Sequence, residues 1–96
     1  MAHVRMDPAE RKKMILAAAF KVAKQNGFKK ATRVSIAAEA GVNPALVGHY
    51  LGGRADLREA IFTEAVKAKN IKMIRDGFEN GIGAGVRIPK ELRAAL

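Results

Sequence analysis

The chain has 96 residues and a mass of 10.3 kDa, which limits it to one small domain and excludes a two-layer α/β enzyme with its own cofactor fold. Hydrophobic residues make up 49% of the sequence, but 18 of them are alanines, so we expect a thin core that favours oligomerisation. The lack of cysteine excludes disulfides and thiolate zinc sites, while the net charge of +9 favours a polyanionic partner, nucleic acid before an anionic membrane surface.

The positive charge flanks a neutral centre. Residues 1–30 carry a net charge of +6, residues 31–60 are neutral, and residues 61–96 carry +3. This division suits a DNA-binding protein, because phosphate contacts need charge whereas base contacts need shape and hydrogen bonds. The sequence has neither a run of about 18 apolar residues nor an apolar leader, so we expect a cytoplasmic, nucleoid-associated protein without membrane contact.

The first predicted helix begins at Asp7-Pro8-Ala9-Glu10, where Asp7 can cap, Pro8 suits the first helical position and Glu10 completes a capping box. It continues to Asn26. Gly27 should end it as a left-handed cap, and Phe28 follows as a packing anchor. The apolar stripe of this helix consists of Ile15, Ala18, Ala19, Val22 and Ala23.

Two short helices follow, separated by a turn of three or four residues. Thr32 can cap the first of them, which runs through Ala40 and ends at Gly41. Asn43-Pro44 starts the next one, and Gly52-Gly53 closes it. Two helices joined by a tight glycine-containing turn predict a helix-turn-helix.

A longer amphipathic helix is predicted from Asp56 to about Asp76. It carries two apolar stripes, and a helix with two apolar faces must bury both, so the second face needs a further segment or a second chain. The first stripe contains Leu57, Ala60, Ile61, Ala65, Ala68, Ile71 and Ile74, and the second contains Phe62, Val66 and Met73.

Four glycines predict a flexible loop over residues 77–87, and Pro89 opens a last helix over 90–96 with Leu92 and Leu96 on one side. No strand is predicted, so the fold class is all-α. We therefore predict a helix-turn-helix DNA-binding domain over 1–55, and a fourth helix with a Gly-rich C-terminal segment over 56–96 that forms a homodimer.

A set of residues from Ile15 to Leu57 has a recognisable spacing without a gap. The residues are Ile15-Leu16-Ala17-Ala18-Ala19-Phe20, Gly27-Phe28, Ala31-Thr32, Ile36-Ala37, Ala40-Gly41-Val42-Asn43, His49-Tyr50-Leu51, Arg54 and Leu57. With this set, the sequence resembles the N-terminal DNA-binding domain of the tetracycline-repressor (TetR) family.

The resemblance implies a three-helix DNA-binding unit and a fourth helix that leads into a helical ligand-binding domain. The sequence departs from the family in three ways near the predicted interface: Gly48 stands where the family usually has Tyr, Leu46 replaces a small or polar residue, and Arg33 replaces an apolar one. Because the sequence ends at Leu96, we expect the usual C-terminal ligand-binding domain to be missing and no small-molecule inducer to bind.

The third helix is expected to enter the major groove, where its N-terminal residues reach the base edges. Asn43 can bond a base or cap its helix, and the cap is favoured because Asn before Pro is a strong capping signal. Pro44, Ala45 and Leu46 can contact thymine methyls. Gly48 allows close backbone approach or is simply a lost side chain, and Val47 belongs to the core.

The remaining candidate DNA contacts lie outside this first turn. Thr32 and Arg33 open the second helix, and Arg33 can bond guanine, attract a phosphate or remain a solvated surface residue. The resemblance implies phosphate contacts for His49, Tyr50 and Arg54, with an intramolecular role as the alternative for Tyr50. Lys12 and Lys13, with the neighbouring basic residues Arg11, Lys29 and Lys30, can supply further phosphate contacts or form a solvated face.

No group of residues has the spacing of a catalytic or metal site, so we expect neither an enzyme nor a bound cofactor or metal. The favoured function is a sequence-specific transcriptional regulator, a repressor that binds an inverted repeat in double-stranded DNA as a dimer. Two alternatives stay open. One is a non-regulatory DNA-binding module in DNA architecture, replication or packaging, and the other is an adaptor that binds another protein through the second apolar face of the fourth helix.

Overall fold

The computed structural model describes residues 7–83 and 86–96, which fold into α-helices and contain no β-strand. The helices are α1 Pro8–Asn26, α2 Arg33–Ala40, α3 Pro44–Leu51, α4 Arg54–Lys67, α5 Ile71–Glu79 and α6 Lys90–Ala95, with a 3₁₀ turn at Phe28–Lys30. The predicted all-α fold is confirmed, with a helix-turn-helix, a fourth helix longer than α2 and α3, and a short C-terminal helix; α5 is a helix that the sequence did not predict separately. Residues 84–85 of the predicted glycine-rich loop and residues 1–6 lie outside the described residues.

Helix α1 has the predicted cap at Asp7 and the predicted proline at its first position. The Asp7 carboxylate accepts a hydrogen bond from the backbone N–H of Glu10 at 2.9 Å, and Pro8 is the first helical residue. This hydrogen bond favours the charged carboxylate and therefore holds the pKa of Asp7 below its ordinary value. The whole predicted stripe of α1 is buried against the other helices.

The end of α1 differs from the prediction in its backbone angles. Gly27 has φ 88° and ψ 160°, so it has a positive φ but is extended in ψ rather than left-handed helical. This geometry turns the chain directly into the buried ring of Phe28. The backbone N–H of Phe28 then donates to Oδ2 of Asp76 at 2.8 Å, which ties the end of α1 to α5.

The predicted helix-turn-helix is present in α2 and α3. Thr32 caps α2, because its Oγ1 accepts from the backbone N–H of Ser35 at 3.1 Å. Gly41 ends α2 in the left-handed conformation, with φ 70° and ψ 35°, as expected. Ile36 and Val47 are fully buried, so α2 and α3 share the core with α1.

The prediction of one helix from Asp56 to Asp76 is wrong. Helix α4 ends at Lys67, and α5 begins at Ile71. Between them Lys69 has a φ of 55°, and Oδ1 of Asn70 caps α5 by accepting from the backbone N–H of Met73 at 3.1 Å. A residue with positive φ followed by an asparagine cap ends one helix and starts the next, although the sequence has neither Gly nor Pro here.

This break lets the chain bury the second apolar stripe by itself, whereas Ala68 of the first stripe is exposed and Ala60 and Ile71 are half-buried. Phe62, Val66 and Met73, the second stripe, are all buried, as are Ile88 and Leu92 from the C-terminal segment. The second apolar face is therefore not free for a second chain or another protein, which removes the reason for expecting an adaptor. One buried cluster extends from α1 to α6, and the division of the chain into two functional segments stays a prediction.

The glycine-rich region is only partly a loop. Gly77 is a buried residue of α5, and with Gly83 it packs against the ring of Phe62. In α6, Leu92 is buried as a packing residue, whereas Leu96 is 38% exposed and does not share the buried side. The part of the predicted loop over 77–79 is therefore wrong, because α5 continues through Glu79.

Candidate nucleic-acid interface

The first turn of α3, the predicted recognition helix, is open to solvent. Asn43 is its N-cap, and its Oδ1 accepts from the backbone N–H of Ala45 at 2.8 Å, so the favoured capping role is confirmed. Pro44 takes the first helical position, where the missing N–H costs nothing. Pro44 and Ala45 are exposed and Leu46 is half-buried, so the turn offers small and apolar groups. Their contacts with bases stay predictions.

The opposite side of α3 packs against the domain. Val47 is fully buried, as predicted, and Leu51 lies in the same core. Tyr50 is half-buried and packs on this core, which agrees with the intramolecular alternative for its ring. His49 is exposed, and its ring meets that of Tyr50 edge to face with centroids 5.0 Å apart. A phosphate contact of either residue stays a prediction.

The side chain of Arg33 reaches across from α2 to α3. A Cβ added at Gly48 would lie 2.9 Å from Cζ and 3.1 Å from Nε of Arg33. The guanidinium therefore occupies the space that a side chain at position 48 would need. Neither interpretation of Gly48, close backbone approach or a lost side chain, predicts this contact. Arg33 of α2 thus forms part of the surface of the recognition helix.

The N-termini of α2 and α4 line one cavity of about 330 Å³. Its walls include Thr32 and Arg33 from the start of α2, and Gly53 and Arg54 from the start of α4. Gly53 is the N-cap of α4, and no side chain caps this helix. Two helix N-termini carry partial positive charge, which Asp56 in the first turn of α4 partly offsets, and Arg33 and Arg54 add positive charge to the wall of the cavity.

Val34 is an exposed residue that sequence reasoning missed. It follows Arg33 in the first turn of α2, and 68% of its surface is accessible. An exposed β-branched residue beside two candidate DNA contacts can pack against a sugar or a thymine methyl. In the sequence, the exposure of Val34 is indicated by its position outside the apolar stripe of Ile36, Ala37 and Ala40.

Two predicted lysines lie apart from this cavity. Lys12 and Lys13 are exposed on α1, and Lys13 lines a groove with Glu64 and Lys67 at the end of α4. The structure therefore brings Thr32, Arg33, Gly48 and Arg54 together, but it does not join Lys12 or Lys13 to them in one cavity. Their phosphate contacts stay predictions.

Within residues 7–83 and 86–96, no helix is long and apolar enough to cross a membrane, and His, Asp and Glu side chains form no group of three that could hold a metal. Helices α2 and α3, joined by a tight turn and with the first turn of α3 open to solvent, have the architecture of a helix-turn-helix domain.

Residues 15–61 match the model of a family described as bacterial regulatory proteins, tetR family. This match supports an N-terminal TetR-family helix-turn-helix domain, and the resemblance seen from Ile15 to Leu57 is confirmed. The search of curated proteins returned no match, and the search of solved structures returned none either.

Proposed function

We propose that this protein is a transcriptional repressor that binds an inverted-repeat operator as a two-fold symmetric dimer. The observation that carries the proposal is the cavity where the starts of α2 and α4 meet beside α3, with Arg33 and Arg54 in its wall. A phosphate held by Arg54 and the N–H groups at the start of α4 would fix the domain on the DNA backbone. Arg33 is then left to contact a base while α3 lies in the major groove.

The chemistry of α3 supports recognition of base sequence in addition to backbone binding. Pro44, Ala45 and Leu46 offer apolar contacts to thymine methyls, and Arg33 offers paired donors that suit the O6 and N7 atoms of guanine. Occupancy of a promoter is sufficient for repression, so no activating surface is required. We therefore favour a repressor over an architectural or packaging protein, which would bind without sequence preference.

The geometry of DNA is the reason for proposing a dimer, because one helix-turn-helix contacts only a half-site. Two-fold symmetric dimers bind two half-sites that are about 34–36 Å apart, or a multiple of that distance. The segment over 56–96 is the proposed interface. The second apolar stripe is buried within the chain and cannot form this interface, but Phe78 and Leu96 in the same segment are 44% and 38% exposed and can contact a second copy. We expect Phe78→Lys to shift the protein from dimer to monomer in sedimentation experiments at micromolar concentration.

Val34→Lys is the matched control, because Val34 is also exposed and apolar but lies on α2, outside the proposed interface. It should leave the oligomeric state unchanged. A monomeric wild-type protein that binds its operator tightly would contradict the proposed dimer.

The experiment that tests the proposed function is selection of bound duplexes from a random DNA pool at physiological salt. We expect an inverted repeat to be enriched. Binding without any enriched sequence would favour the architectural or packaging alternative, and a lack of DNA binding would reject both.

A further inference from the structure

The glycine at position 48 stands in the interior of α3, where glycine is unfavourable. Glycine in a helix interior is less stable than alanine, because it loses more backbone entropy on folding. The sequence contains 18 alanines and uses Ala45 in the same helix. If position 48 required only a small residue, alanine would make the helix more stable than glycine does. The absence of even a methyl group at this position therefore needs a structural reason.

The reason lies in the guanidinium of Arg33. A Cβ at Gly48 would be 2.9 Å from Cζ, 3.1 Å from Nε and 3.2 Å from Nη1 of Arg33. Because the shortest distance is to the central carbon and the two nitrogens are only slightly further, the Cβ position lies over the flat face of the guanidinium. The arginine thus rests face-on against the backbone of α3, and its N–H donors point outward from its edges.

These donors are free among the described residues. Within residues 7–83 and 86–96, the guanidinium of Arg33 makes no ion pair and no hydrogen bond, and the residue is exposed. A guanidinium whose face is held and whose edges are free is arranged for bidentate bonding in its own plane, which is how arginine bonds the O6 and N7 atoms of guanine.

We propose that Gly48 is a positioning residue for base recognition: by lacking a side chain, it seats Arg33 flat on the recognition helix and directs its donors to one guanine in each half-site. This inference rests on the proposed sequence-specific DNA binding. It differs from close approach of the α3 backbone to DNA, because the space beside Gly48 is occupied by the protein's own arginine.

The test is the change in base preference caused by Gly48→Ala. The added methyl would collide with the far end of a flexible exposed side chain, so Arg33 should move while the fold is kept. With the duplex selected by the wild-type protein, we expect Gly48→Ala and Arg33→Ala to reduce the preference for the same G·C base pair, from about 5- to 150-fold to near unity. The double variant should lose no more than either single variant.

Two further variants separate geometry from charge. Arg33→Lys keeps the positive charge but not the planar pair of donors, so it should keep most of the affinity and lose the preference. Arg93→Ala removes an exposed arginine from α6 and should leave the preference at that base pair unchanged. Unfolding curves for all variants verify that each protein is folded under the binding conditions.

Three results would overturn the inference. If Gly48→Ala keeps the preference that Arg33→Ala removes, Gly48 does not position the arginine. If Arg33→Ala weakens binding to every sequence equally, the arginine contacts phosphate and not a base. If the wild-type protein selects no sequence at all, the proposed function fails together with the inference, whereas the first two results leave DNA binding intact.

Discussion

The surroundings of Gly77 in α5 and Gly48 in α3 predict that Gly→Ala substitutions at these two positions have opposite effects on stability. At Gly77 an added Cβ would collide with Cδ1 of Phe62 and lie 2.6 Å from its Cε1. The Phe62 ring is fully buried, with its centroid 6.3 Å from that of Phe28 and 5.5 Å from that of Phe78. Because Gly83 closes the far edge of the same ring, the ring cannot move away from the new methyl group.

The magnitudes follow from this difference in mobility. Gly77→Ala gains about 0.5–1 kcal/mol from helix propensity but loses about 1–3 kcal/mol from overpacking, so we expect a net loss near 1 kcal/mol. For a domain of this size, this corresponds to a fall in Tm of roughly 4–8 °C. Gly48→Ala meets only the mobile end of Arg33, so it should keep most of its propensity gain and raise Tm by roughly 2–6 °C.

Thermal and urea unfolding followed by circular dichroism measure both changes, provided that the two variants keep the wild-type m-value. Phe62→Leu in the Gly77→Ala background should recover part of the loss, because the smaller side chain relieves the collision. If Gly77→Ala stabilises the protein as much as Gly48→Ala does, α5 does not pack against Phe62 in the way described.

Three other predictions concern the helix ends and the DNA contacts. Asp76→Ala should destabilise the protein by about 1–3 kcal/mol in urea unfolding, because it removes the acceptor for the N–H of the buried Phe28, whereas Asp76→Asn should lose less. Arg54→Ala and Lys13→Ala should each weaken binding to all sequences and lower the salt slope by up to about one unit, and an unchanged slope in a salt titration would identify a solvated charge. Because folding lowers the pKa of Asp7, the stabilising contribution of its carboxylate is present above the unfolded pKa and is lost as the pH falls through the folded pKa. The free energy of unfolding, measured across acidic pH, should therefore depend less on pH in Asp7→Asn than in the wild-type protein, and an equal dependence would contradict this assignment.

The helix starts could be predicted from sequence because their causes are local. Asp7, Thr32 and Asn43 each accept a hydrogen bond from a backbone N–H two or three residues further along, so the residue and its partner lie within one short segment. The end of α4 has a different cause. Lysine at positive φ has no intrinsic preference for that conformation, so Lys69 adopts it because the turn allows Met73 and Phe62 to share the core.

The interface was predictable in outline for a similar reason. The capped start of α3 and the separate basic residues Arg33 and Arg54 are visible in the sequence, whereas the cavity between α2 and α4 depends on how two helix N-termini meet in space. Sequence reasoning therefore identified Arg33 and Arg54 as separate candidates. It had no means of expecting both in the wall of one cavity.

The contact between Arg33 and Gly48 could not be predicted from the sequence. They are fifteen residues apart in the sequence and lie on different helices, so each has an ordinary explanation by itself: a solvated arginine and a lost side chain. In the folded domain, each explains the other, because the arginine takes the volume that the glycine leaves. The two positions at which the sequence departs from the pattern it resembles are thus neighbours in space, with the guanidinium from α2 on the flank of α3 beside position 48.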